Sequence, residues 1–211
     1  MPLDAGWSEQ VVLRDGTEVT LRLLRPEDRE ALQRAFDRLS EESRYRRFFT
    51  AMPKLTRAQL DYLTCVDQVH HVAIAASRQT PEGEEGVGIG RFVELEPGLA
   101  EPALAVADEM QGLGLGTMMM ERLCRAARER GVERFHVEFL EENRAVLSLL
   151  EGVSPQLLEV ALDPETGVYR GELPVPEASH SGHGAWIEAM VEALRHLHAA
   201  ERLGRLKAQR S

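Results

Sequence analysis

The residues whose spacing carries chemistry are Gln111-Gly112-Leu113-Gly114-Leu115-Gly116-Thr117. They follow an apolar run ending at Ala107, which reads as a strand, and open into a periodic segment at 118–130, which reads as a helix. Strand, glycine-rich turn and helix start together make an anion site. The first helical turn has unsatisfied N–H groups and a partial positive charge, and glycine lets the backbone close on an oxygen-rich ligand. Pyrophosphate is the guest such a turn suits. A P-loop is excluded because no Gly-Lys-Ser/Thr follows the glycines, and the dinucleotide fingerprint is excluded because the spacing is G-x-G-x-G rather than G-x-G-x-x-G. What stands is Q-x-x-G-x-G-T, set against the plainer reading of a tight turn that binds nothing.

Other clusters with ligand chemistry are weaker. His70 and His71 are neighbours on an expected strand, point to opposite faces and cannot chelate one metal together. His180 and His183 flank glycine in a linker, and His196 and His198 are two apart on a helix, so no metal site is expected. Cys65 and Cys124 make neither a disulfide framework nor a zinc site, and Cys124 reads as a small core residue. Arg44, Arg46 and Arg47 could grip an acid or phosphate, against the plainer reading of a solvated or ion-paired face.

The elements that must position the turn are legible in outline. Residues 11–24 read as a hairpin around Arg14-Asp15-Gly16-Thr17. Pro26-Glu27-Asp28 starts a helix carrying Leu32, Phe36 and Leu39, a second helical piece covers 41–49, and Thr56-Arg57-Ala58-Gln59 is a capping box for a third. Strands are expected at 70–77, 87–95 and 100–107, with 78–86 a polar loop. The helix after the glycines should bury Met119, Met120, Leu123 and Ala127 and stop at Gly131. A strand at 135–140, a short helix at 144–150 with Asn143 as N-cap or first-turn residue, and a hairpin over 156–175 complete the core. Residues 176–184 read as a linker, and 186–207 as a helix with an apolar stripe at Ile187, Met190, Val191, Leu194, Leu197 and Leu203. That stripe needs a partner, and a second subunit is favoured because the core looks complete at Val175.

Composition bounds the function. The 211 residues suffice for one ordinary domain with an appendage, and 43% hydrophobic with 28% charged residues is the balance of a soluble globular protein. No apolar run approaches the roughly 20 residues of a membrane span, and no signal peptide is read, so a cytoplasmic location without membrane association is expected. A formal charge of −10 argues against nucleic acid as partner and suits a basic substrate such as an amine, though acidic balance also serves solubility.

The turn and its context resemble the coenzyme A signature of the GNAT acetyltransferase superfamily. The element order resembles that fold over residues 11–175. L-R-D-G-T-x-V-x-L-R, R-P-E-D and S-x-x-S-R-Y-R-R-F-F are similar to bacterial protein lysine acetyltransferases of the Pat type. The resemblance implies an α/β (α+β) GNAT fold, a mixed, mostly antiparallel sheet flanked by helices. It divides the chain into an acetyltransferase domain at 1–175 and a linker with C-terminal amphipathic helix at 176–211. It implies acetyl-CoA as co-substrate, no metal, and direct transfer to an amine, a protein lysine or a small molecule, in a ternary complex. Backbone groups at Ala105, Val106 and Ala107 would pair with the pantetheine arm. Gln111, Gly112, Leu113, Gly114, Leu115, Gly116 and Thr117 would hold the pyrophosphate, and Asn143 would contact the cofactor. An alkylammonium with pKa about 10.4 must lose a proton before it attacks a thioester, and Glu101 stands where related enzymes carry a glutamate for this, with Glu94, Glu96 and Glu138 as substitutes. Pro102 makes the register there uncertain. The tyrosine and Gly-Phe pair that relatives place near Leu150 are missing from 149–155. A bulky residue at Gly114 or Gly116 should block the phosphates while leaving the fold largely intact. The rival class is a non-catalytic acetyl-CoA sensor or protein-interaction module, which turnover of acetyl-CoA with amines would separate from an enzyme.

Overall fold

The computed structural model describes residues 3–38, 54–140, 159–164 and 167–176, with Gly184, Ile187, Met190 and Val191. Along the chain come β1 (Ser8–Val12), β2 (Glu18–Leu23), a 3-10 turn at Pro26–Asp28, α1 (Arg29–Arg38), α2 (Arg57–Thr64), β3 (His71–Thr80), β4 (Gly83–Glu96) and β5 (Leu99–Val106). After them come a 3-10 turn at Asp108–Met110, α3 (Leu115–Glu129), β6 (Arg134–Leu140), β7 (Glu159–Asp163) and β8 (Val168–Pro174). The strands form one sheet in the order β1-β2-β3-β4-β5-β6-β8-β7. Every neighbouring pair is antiparallel except β5–β6. This is the mixed, mostly antiparallel sheet with flanking helices that the sequence implies.

Local chemistry accounts for the elements. Gly16 has φ +89° in the β1–β2 turn, and Asp15 closes that turn by accepting from the N–H and hydroxyl of Thr17 at 3.0 and 2.9 Å. At α2, the Thr56 hydroxyl accepts from Gln59 N–H at 3.3 Å while the Gln59 side chain accepts from Thr56 N–H at 2.8 Å, the reciprocal capping box. Gly131, φ +77°, follows α3.

Sheet alternation separates two faces. Gly90 turns its α-carbon toward Leu123 of α3, with 2.9 Å between a Cβ built there and Leu123 Cδ1, and the next residue, Arg91, donates to the Leu63 carbonyl of α2 at 3.2 Å. The α3 face holds the main core, with Met119, Met120, Leu123, Cys124 and Ala127 fully buried against Phe92, Phe135 and Val137. Burial lifts the Cys124 thiol to about 12, so it is a packed, inert group. On the other face Phe36, Leu55 and Leu60 form a smaller cluster between α1 and α2.

Three expectations need correcting. The segment 78–86 is no loop: β3 and β4 run to a turn at Pro81-Glu82, and the polar residues that suggested a loop bind across the hairpin, Arg78 to Glu85 at 2.6 Å. His70 precedes the strand rather than lying in it. Finally, Ile187 and Met190 are fully buried and Val191 is 6% exposed within the core of their own chain. For these three positions the stripe's partner is the chain's own domain, because the first turn of α3 offers glycine where a larger residue would keep a helix away. The helix expected at 41–49, the end of α1 at Leu39, the helix at 144–150 and the remainder of the C-terminal stripe lie outside the described residues. So do Arg44, Arg46, Arg47, His180, His183, His196 and His198. Among the described residues no helix is long and apolar enough to cross a membrane, and no group of His, Cys, Asp and Glu could hold a metal ion.

Candidate active site

The site is organised by the two neighbours of β5. Its antiparallel ladder with β4 is continuous from Glu101 to Val106, whereas its parallel ladder with β6 consists of Leu99–Arg134 and Ala100–Phe135 alone. Beyond Ala100 no ladder pair joins the two strands among the described residues. Ala107 N–H donates to the Val87 carbonyl at 2.9 Å, so period-two alternation turns the backbone of Ala105 and Ala103 to β4 and that of Val106, Leu104 and Pro102 to the side away from β4, an edge that at Val106 carries no ladder. Of the three residues expected to meet a pantetheine arm, Val106 is the one whose amide and carbonyl face that edge. Ala105 and Ala107 spend theirs on β4 and contribute small side chains to the opposite face.

The glycine turn follows at the end of β5. Gly112 and Gly114 take φ +75° and +96°, a left-handed region that a Cβ disfavours. Gly114 is the N-cap of α3 and has no side chain to satisfy the first amides, so those of Leu115, Gly116 and Thr117 have no acceptor from a capping side chain. Such a helix start can hold an anion. Gln111 turns inward: its amide nitrogen donates to Asp108 at 3.0 Å and lies 3.5 Å from the Val106 carbonyl, which braces strand against turn. Leu113 and Leu115 face the core. Gly116 has a packing role, since a Cβ there would lie 3.1 Å from Val191 Cγ1 and 3.4 Å from Leu104 Cδ2.

On the α1–α2 face the sheet floors a cavity of about 820 Å³, lined by residues of β3, β4, β5, α1 and α2. Glu101, Ala103, Ala105 and Ala107 project into it in file, the carboxylate at one end and the glycine turn just past the other. About 20 Å of strand separates Glu101 from Ala107, a span comparable with an extended pantetheine arm. Of the four candidate glutamates, Glu101 and Glu94 line the cavity, and Glu96 and Glu138 do not. Glu94 is engaged by His70 Nδ1, and that contact raises the His70 pKa. Hydrogen bonds from His136 and Arg170 hold Glu138 down at about 2, which leaves it a poor proton acceptor.

The cavity wall is acidic. Arg22 is committed to Asp28 at 2.7 Å and Arg34 lies 3.7 Å from Glu30, while Glu27, Glu82, Glu84, Glu94 and Glu101 add further carboxylates around the same space. Arg91 donates through Nη1 to His71 Nε2 at 3.3 Å, and the His71 ring lies against Tyr62 at 5.2 Å between centroids. The sequence reading missed Arg91 and Tyr62 as cavity residues. The available signal was register: Arg91 lies opposite Ala103, two along from the Val93–Glu101 pair. Asn143 and the segment 149–155 lie outside the described residues.

Comparison with known proteins supplies the family context. A model of the GNAT acetyltransferase family matches residues 29–151. A Pseudomonas aeruginosa protein named as an acetyltransferase is 35% identical over 144 residues, 68% of this chain and 76% of that protein. The acetyltransferase Pat of Mycolicibacterium smegmatis is 33% identical over 170 residues, 79% of this chain, which spans only 48% of Pat. The solved GNAT domain of S. lividans PAT aligns with a TM-score of 0.66 at 31% identity, covering 81% of this chain and 98% of that domain.

Proposed function

The chain belongs to the GNAT acetyltransferase family, and we propose that it transfers the acetyl group of acetyl-CoA directly to a cationic primary amine, borne by a protein lysine or a small molecule, with Glu101 as the base. The observation that carries this is the file from Glu101 to Ala107, which leads from an acid-walled cavity to an uncapped helix start at the glycine turn.

Acetyl-CoA, when bound, supplies a thioester carbonyl open to attack by an amine, with the CoA thiol as leaving group. The amides of residues 112–117 would hold its diphosphate, and the edge at Val106 that carries no ladder would pair with its pantetheine arm. The acidic wall draws an ammonium in, and the same field holds the proton on it, so a carboxylate at the reacting end must take that proton. Glu101 does this directly or through water. It shares the cavity with Glu94, which His70 already occupies.

Release of CoA thiol in the presence of an amine panel tests the reading. Lysine peptides with amidated C-termini and cationic aliphatic amines should turn over, while amines that also carry carboxylates should be rejected. Glu101→Gln should lower turnover by about 10²-fold with acetyl-CoA affinity unchanged. A Glu101→Gln enzyme with the rate and pH profile of the parent moves the base elsewhere, and Glu94 is then next. Absence of turnover with every cationic amine sinks the acceptor class.

A further inference from the structure

The glycine turn has no positive side chain of its own. Residues 111–117 are uncharged, and the 3-10 turn before them brings two carboxylates: Asp108, bound to Gln111, and Glu109, 3.7 Å from Arg78. Helix amides alone would have to balance a diphosphate against those acids. A positive side chain from a distant part of the chain lies beside the turn. The Arg14 N–H, in the β1–β2 turn, donates to the Leu113 carbonyl at 3.2 Å, which pins the hairpin to the glycine turn. The Arg14 side chain then lies along it, with Nε 3.7 Å and Cγ 3.9 Å from the point a Cβ would occupy on Gly114. Arg14 is exposed, and its guanidinium has no partner among the described residues. The adjacent carboxylate, Asp15, is engaged by Thr17 and leaves the guanidinium unclaimed.

We propose that Arg14 is a further cofactor-binding residue, reaching from the β1–β2 hairpin to the diphosphate at the glycine turn. The inference rests on the reading of that turn as the acetyl-CoA site. A guanidinium offers two parallel N–H donors to a phosphate and stays charged at every working pH, so it suits a shallow, solvent-washed edge of the site where amides alone are weak. A Cβ at Gly114 would stand in ordinary van der Waals contact with Arg14, which places the side chain directly alongside the turn.

Calorimetry on the full chain tests it, using acetyl-CoA and its 3′-dephospho form, which keeps the diphosphate. Arg14→Ala should weaken both ligands about tenfold, and Arg14→Lys should recover part of the loss. In turnover, KM for acetyl-CoA should rise by the same factor with kcat unchanged, and the thermal midpoint should not move, because the side chain is exposed and unpartnered. Parent-like affinity in Arg14→Ala overturns the proposal. So does a loss confined to acetyl-CoA and absent from the dephospho form, which would place Arg14 on the 3′-phosphate. If the parent protein itself binds neither ligand, the reading of the turn falls, and the role of Arg14 with it.

Discussion

Acid should destabilise this fold through His71, and the size of the effect follows from its surroundings. The ring is half-buried beside Tyr62, and its Nε2 accepts from Arg91, which also holds the Leu63 carbonyl. That bond exists only for a neutral imidazole. Burial first, then the Arg91 charge, press the His71 pKa down to about 4, against a smaller upward pull from Asp67. An unfolded histidine titrates near 6.5, so between pH 6.5 and 4 the unfolded chain binds the extra proton and the folded chain does not. Stability from this group is therefore complete above pH 6.5 and falls as pH drops toward 4. Between pKa values of 6.5 and about 4, going from pH 8 to pH 5 would remove about 2 kcal/mol, and solvent along one edge of the ring reduces this to about 1 kcal/mol. His70, exposed and paired with Glu94, works with the opposite sign: its raised pKa favours the fold at low pH, and that contribution fades as pH rises through it. Urea unfolding of the parent and of His71→Gln at pH 8, 6.5 and 5 isolates the term, because every other acid group cancels in the comparison. Glutamine can still accept from Arg91 but does not titrate, so the variant should lose about 1 kcal/mol less than the parent on acidification. Parallel curves for the two proteins would refute the argument.

The remaining predictions concern packing around the glycine turn. Gly116→Val should lower the unfolding free energy by about 1–3 kcal/mol, since its Cβ would press on Val191 and Leu104; a melting temperature equal to the parent's would show that the C-terminal segment yields and that the fold stays intact. Gly112→Val is the cleaner block of phosphate binding: nothing lies within 4 Å of its Cβ, the φ of +75° costs about 1–2 kcal/mol, and calorimetry should show acetyl-CoA affinity falling far more than stability does. Met190→Asp should destabilise the chain by about 3 kcal/mol or more with no change of mass in light scattering, because Met190 is fully buried in its own domain; a mass that halves while stability holds would return the stripe to a second subunit.

What was legible in the sequence is what depends on near neighbours. The turn at 111–117 declares itself because left-handed φ and an uncapped helix start both require glycine there, and the Thr56–Gln59 box requires two polar residues three apart. The hairpin at 78–86 was hidden because its stabilising pairs, Arg78 with Glu85 and Arg38 with Glu85, are polar and give no apolar alternation. The partner of Ile187, Met190 and Val191 was hidden for another reason. A stripe announces that something must cover it, whereas the receiving surface, Gly116 beside Leu104, is recognisable only once β5 and α3 are in place. Arg14 belongs to the same class, since about a hundred residues separate it from the turn it touches.

Pro102 ties these levels together, and its parity decides the site. Within β5 the odd residues bond to β4, as Ala107 to Val87 shows, and the even ones face β6. A proline at 101 or 103 would delete a donor from the β4 ladder. At 102 the lost N–H points toward β6, one step past the last paired residue, Ala100. The imino acid that made the register doubtful in the sequence therefore leaves the β4 ladder whole and removes the donor that would carry the β6 ladder onward. The β5–β6 ladder ends where that donor is missing. The same alternation that points the Pro102 nitrogen toward β6 places the preceding side chain, Glu101, on the cavity face, so the end of the ladder and the carboxylate are fixed by adjacent residues of one strand.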